Sequence, residues 1–276
     1  MTTNPLPVVL TPEAASDEDV VGSNVSVVNQ MYQALLNAEE IAPHALRSYF
    51  VDFYLTQVLD GGFAQYVFMT PDRVELDGYI REGLAAMGAG SHLELFNRTA
   101  TFFDSLSEAD KDAYLEGEDS ADDRPDGVAA MEALDNEFEE LLETEDVTGL
   151  NAAWLRSQDG LLVLDAPELA AHIAVLVAAI PDLAERQAEA ERDNTPEFEA
   201  IIRELCAVAG QELEKITMGD PNFEHNGEKV LAWHFTTNQG SFIMIEEDEE
   251  ALMINPDTKD VIALIEFEDE DEFAIA

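Results

Sequence analysis

Glu116, Glu118, Asp119, Asp122, Asp123 and Asp126, followed by Glu132, Asp135, Glu139 and Glu143, form a dense run of carboxylates in this chain. Carboxylates in such number attract protons, metal cations and basic protein surfaces. The first six belong to an Asp-rich loop over 117–127. The last four recur at three- and four-residue spacing, which sets neighbours on a helix about 5–6 Å apart. Residues 104–146 hold 18 acids against Lys111 and Arg124, whereas residues 21–103 hold 9 against Arg47, Arg73, Arg81 and Arg98. Like charges one turn apart cost about 0.2–0.5 kcal/mol each, so a local concentration of this kind implies a use.

Other chemistries find little support. There is no G-x-S-x-G, no G-x-x-x-x-G-K-S/T and no H-E-x-x-H, which leaves no nucleophile elbow, phosphate loop or zinc helix to build on. Asp122–Gly127 resembles a calcium loop, but Arg124 and Ala133 stand where oxygen ligands belong. Gly88-Ala89-Gly90 is too short for a dinucleotide fingerprint and reads as a turn. His172 falls in a core helix and His234 in a strand, both structural positions. Among 60 acids any carboxylate spacing arises by chance, so no acid–base pair stands out. The residues point to no catalytic group, no metal site and no cofactor: the chain does not read as an enzyme.

The same charge sets the class of partner. Sixty Asp and Glu against 13 Lys and Arg give a formal net charge of -47 over 276 residues. Direct nucleic-acid binding needs clustered Lys and Arg to displace counterions from phosphates, and an anionic bilayer repels such a surface. A basic protein is the partner that remains. The lone Cys206 cannot form an internal disulfide, which fits a reducing cytoplasm. The most apolar stretch, Leu161–Ile180, is interrupted by Asp165, Pro167, Glu168 and His172. It reads as a buried strand or loop followed by a core helix and not as a membrane span.

These acids must be carried by a scaffold. With 46% hydrophobic residues the chain can close a sizeable core,. Residues 1–24 lack periodicity and read as a flexible leader. From Val25 to Phe103 apolar residues recur at helical spacing, broken by Asp60-Gly61-Gly62 and again at Gly88-Ala89-Gly90. Ser91 with Glu94 reads as a capping box for the next helix, and Ser107 as the cap of a short one. A helix over Val128–Glu143 turns Met131, Leu134, Phe138 and Leu141 inward, with Glu132, Asp135, Glu139 and Glu143 on a neighbouring face. Asp165 caps another helix, Pro181 interrupts it, and Thr195-Pro196 opens a last one running to about Ile216. Then Val230–Thr236, Ser241–Glu246, Ala251–Ile254 and Val261–Phe267 alternate with Asn-Gly and Asn-Pro turns, as antiparallel hairpins do. The expected fold is mainly α: a helical domain over 25–217, then a small antiparallel β-rich module over 218–276.

Asp60-Gly61-Gly62-Phe63-Ala64-Gln65-Tyr66, placed after the aromatic helix Tyr49–Val58, resembles the Asn-Gly-Gly-Phe-x-Gln-aromatic signature of the DNA-mimic protein nineteen family. Leu84–Ala89 is similar to that family's small-residue turn, and the resemblance covers about residues 26–200. It implies an all-helical, often homodimeric bacterial protein whose acidic surface occupies the DNA-binding face of a transcription regulator. The chain departs from the family at Asp60, which replaces Asn, and in its added β module. Gly61, Gly62, Phe63, Gln65 and Tyr66 read as structural: the rings pack a core, and Gln65 satisfies backbone groups near the turn.

The sequence therefore leads to a non-enzymatic DNA mimic that covers the DNA-binding surface of a basic partner, a transcription regulator or nucleoid-type protein. Two other readings use the same electrostatics. One is an inhibitor of a basic toxin or nuclease. The other is a helical domain of small-molecule or enzymatic role with a halophile-style surface, which the 4 Lys against 9 Arg support.

Overall fold

Ser16 and Asp19 close a capping box that starts α1 (Asp17–Gln33). Each satisfies a backbone N–H that the first helical turn leaves open. Val20, Asn24, Val27, Val28 and Met31 recur at three- and four-residue steps and are buried. In this computed structural model, residues 6–12, 14, 16–117, 125–247 and 250–267 are described. Helix α1 thus begins inside the segment expected to be a loose leader. Ahead of it β1 (Val9–Leu10) pairs in parallel with β2 (Leu162–Val163), so Val8, Val9 and Leu10 are buried. A two-residue strand has no period to read.

Helix α2 (Pro43–Met69) carries proline in its first turn, where the missing N–H costs nothing. It is followed by α3 (Val74–Met87), α4 (Gly90–Ser105), α5 (Glu108–Glu116), α6 (Asp126–Leu142) and α7 (Val147–Arg156). After β2 comes α8 (Ala166–Val177), opened by the reciprocal Asp165–Glu168 capping box. Two apolar clusters fill this part. One gathers Tyr54, Phe63, Tyr66, Leu84, Phe96, Met131 and Phe138. The other gathers Val20, Val28, Leu46, Leu155 and Leu169. Helix α2 contributes to both.

The chain divides into two compact units, Met1–Leu183 and Ala184–Ala276. The second holds α9 (Leu183–Asp193, its first residue in the other unit), α10 (Glu197–Val208) and a five-stranded antiparallel sheet. The strands are β3 (Leu213–His225), β4 (Glu228–Thr237), β5 (Gly240–Glu247), β6 (Glu250–Ile254) and β7 (Val261–Glu266), each paired with the next. Asn226 and Gly227 take φ of 51° and 88°, the two left-handed residues that a tight β3–β4 hairpin requires. On one face of the sheet Ile201, Ile202, Leu205 and Cys206 of α10 pack with Phe235, Met244 and Met253.

The mainly α class and the antiparallel C-terminal module are as the sequence led us to expect. The internal boundary is not. Helix α10 stops at Val208 and strand begins at Leu213, so Ile216 lies in β3 and not at the end of a helix. Because the apolar face of α10 is buried in the cluster that the sheet forms, the division falls near residue 183 and not near 217. The fragment 1–183 should therefore fold with full helical circular dichroism and a cooperative melt. The fragment 1–217 should bind a dye for exposed apolar surface, because α10 has lost its sheet. A non-cooperative melt for 1–183 would show that the two units fold as one.

Candidate functional site

The Gly61–Gly62 pair interrupts α2. Gly61 takes φ -156°, ψ 33° and Gly62 takes φ 69°, ψ -172°, so one helical segment ends and a second restarts at Phe63. A restarting helix exposes N–H groups that have no partner one turn back. Here they are met from outside the helix. The Phe63 N–H donates to Asp135 Oδ1 at 2.8 Å, and the Ala64 N–H donates to the Tyr114 hydroxyl oxygen at 3.0 Å. The Tyr114 O–H in turn donates to Asp135 Oδ2 at 2.7 Å. One carboxylate on α6 and one phenol on α5 thus close the break in α2.

Asp135 is consequently not part of an exposed row. Burial pushes its carboxyl above the usual range, and the carboxylates of Glu132 and Glu139 push the same way, against the lowering pull of the Phe63 N–H and Tyr114 O–H. The job assigned to Gln65 belongs to Asp135. Gln65 instead places Nε2 3.4 Å from Gln57 Oε1. Phe63 and Tyr66 are fully buried as expected, ringed by Tyr54, Phe96 and Phe103. The Tyr66 hydroxyl donates to Asp77 Oδ1 at 2.7 Å. Asp77 also receives Arg73 and Arg81, and Arg73 reaches Asp104.

Beside the break lies an open cleft of about 500 Å³ between α2, α5 and α6. Its walls are Gln65 and Phe68 of α2, Tyr114 and Leu115 of α5, and Val128, Glu132 and Asp135 of α6. Glu116 is exposed at the end of α5, and Asp126, Glu139 and Glu143 are exposed along α6. The structure therefore brings Glu132 and Asp135 into one cleft, with Glu139 and Glu143 continuing along the same helix. Glu118, Asp119, Asp122 and Asp123 lie outside the described residues.

A second carboxylate escaped the sequence reading. Ser91 and Glu94 form no capping box, since α4 starts earlier, at Gly90 after Ala89. Glu145 caps the helix from 53 residues away, accepting from His92 N–H at 2.9 Å, Ser91 N–H at 3.2 Å and the buried His92 ring at 2.9 Å. Burial alone would raise the Glu145 pKa, but these donors override it and hold the carboxyl below the usual glutamate range. A depressed carboxyl pKa stabilises the fold above the unfolded value, and that contribution disappears as pH falls through the folded value. Glu145→Gln should therefore lower the thermal midpoint at neutral pH. The gap to wild type should close as pH is brought below the glutamate range. A gap that stays constant on acidification would show that the ionised carboxylate is not the group that matters.

Chemically the cleft can accept cations and hydrogen-bond donors. Among the described residues no three His, Cys, Asp or Glu side chains converge to hold a metal ion. Nor is any described helix long and apolar enough to cross a membrane. Cys206 is buried among the α10–sheet cluster, where burial pushes its thiol up despite Arg203, and so away from the reactive thiolate.

Residues 39–158 match the family model described as DMP19-like protein. The resemblance carried by Asp60–Tyr66 and Leu84–Ala89 thus holds over a segment shorter than the 26–200 first assigned. It spans α2 to α7 with the break, the cleft and the acidic face of α6. No curated protein and no solved structure matches the chain.

Proposed function

We propose that the protein is a non-enzymatic DNA mimic acting in the cytoplasm. It presents the carboxylates of α6, together with the acids that precede it in sequence, where a basic DNA-binding protein would meet phosphates. The observation that carries this reading is the placement of the acid. It is concentrated in 104–146, within the segment that matches the family model, on a helix rigidly seated by Val128, Met131 and Phe138.

The proposed partner is a transcription regulator or nucleoid-type protein. Its Lys and Arg would be steered to Glu132, Glu139 and Glu143 over a distance set by salt screening, about 10 Å at 0.1 M. Replacing all three by Gln should therefore slow association several-fold and leave dissociation and the helical spectrum nearly unchanged, because long-range charge acts mainly on the on-rate. Immobilised protein should retain a basic DNA-binding protein from the native lysate for this measurement. A retained partner that binds no DNA, or an unchanged association rate, would remove the support for mimicry.

One observation favours a second reading for part of the chain. Residues 184–276 hold 25 acids against Arg186, Arg192, Arg203, Lys215, Lys229 and Lys259, so acid is abundant beyond the matched segment. For that unit a highly solvated, salt-adapted surface is sufficient.

A further inference from the structure

We infer that the cleft beside the Gly61–Gly62 break is a receptor for one arginine side chain of the basic partner, with the guanidinium laid on the Phe68 ring. The inference rests on the reading of the partner as basic and concerns how this one site recognises it. Phe68 is 72% exposed and Leu115 is 38% exposed, and both stand on the wall of the cleft. A cleft that only gathered charge would have no use for a water-facing aromatic ring. Two helix ends add a further feature. The first segment of α2 stops at Gly61, and α5 stops at Gly117 with φ 67° and no basic residue in its last turn. Both glycines line the cleft. The C-terminal end of each helical segment carries the negative end of its dipole. The carboxyl groups of Glu132 and Asp135 stand on the same walls, Asp135 held in place by its bonds to Phe63 and Tyr114.

Aromatic face, apolar wall, carbonyl ends and carboxylates together match a guanidinium better than any other group. Its plane stacks on a ring, its five N–H groups spread over several acceptors, and its three-methylene stem lies against apolar carbon. A lysine ammonium shares the charge but not the plane. A bare metal ion would find half of its surroundings to be carbon.

Hexa-arginine and hexa-lysine, of equal charge, are the probes. Each is titrated into the full chain at about 0.05 M and about 0.5 M NaCl, where exposed charge pairs are and are not felt at a distance. At low salt the two should bind within about threefold of each other. At high salt hexa-arginine should remain about tenfold tighter, because the stacked and apolar contacts are not screened. Phe68→Ser, at an exposed position that leaves the helical spectrum intact, should erase that margin. Glu139→Gln with Glu143→Gln, outside the cleft, should weaken both peptides and keep it. Equal affinities in wild type at high salt, or an undiminished margin in Phe68→Ser, would overturn the inference. A margin that depends on Phe68 in a protein that releases no DNA from its partner would sustain the receptor and sink the mimicry. Release of DNA without the margin would do the reverse.

Discussion

Gly62→Ala should destabilise the protein by about 3 kcal/mol or more. Two costs combine. With φ 69° and ψ -172°, Gly62 occupies a region of backbone space that is essentially closed to residues bearing a Cβ. The space is also taken: an added Cβ would lie 2.8 Å from Asp135 Oδ2 and 3.0 Å from its carboxyl carbon. Relief would require Asp135 to move, which breaks its bonds to the Phe63 N–H and the Tyr114 hydroxyl. Gly61→Ala is the control. There φ is negative, and the added Cβ meets Gln65 Cβ at 2.9 Å, a steric cost without the left-handed backbone, so the loss should be smaller. Chemical denaturation of both variants measures the difference. Equal midpoints would mean that the break does not depend on the left-handed glycine.

Asp135→Ala is the second large effect, a loss of about 2–6 kcal/mol, because a donor deprived of its acceptor in a part-buried place costs about 1–3 kcal/mol and two are affected here,. Glu139→Ala, exposed four residues on, should stay within about 0.5 kcal/mol of wild type. Asp135→Asn separates hydrogen bonding from charge. The amide oxygen still accepts from Phe63, and the amide nitrogen can donate to the Tyr114 oxygen. Because burial raises the Asp135 pKa in the fold, the folded carboxyl holds its proton more firmly than the unfolded one. Its contribution is complete below the unfolded pKa and is lost as pH rises through the folded value. The stability of Asp135→Asn relative to wild type should therefore improve as pH rises from acid to neutral. A difference independent of pH would place the carboxyl in water, in the row with Glu139.

That inward turn of Asp135 had a signal. It lies four residues after Met131 and three before Phe138, both buried, on the flank of the apolar stripe and not opposite it. Charge type outweighed spacing in the reading of that helix. The Gly-Gly break, the Ser107 and Asp165 caps and strands β4–β7 were legible because each depends on residues a few positions apart. Glu145 was not, since its partner His92 is 53 positions away and no local pattern connects them. Strand β3 was hidden for another reason. It contains Gly219, Asp220 and Pro221 and three register irregularities against β4, a composition that reads as loop. It stands at the edge of the sheet, where proline and bulges are tolerated.

Mimicry of a duplex requires that protein and DNA exclude each other from one surface. The direct measurement follows a fluorescent duplex bound to the partner by anisotropy and sedimentation while this protein is added. Mimicry predicts full release of the duplex, no species containing all three components, and a midpoint that rises steeply with salt as carboxylate–cation pairs are screened. A stable ternary complex, with the duplex still bound while this protein saturates the partner, would contradict it.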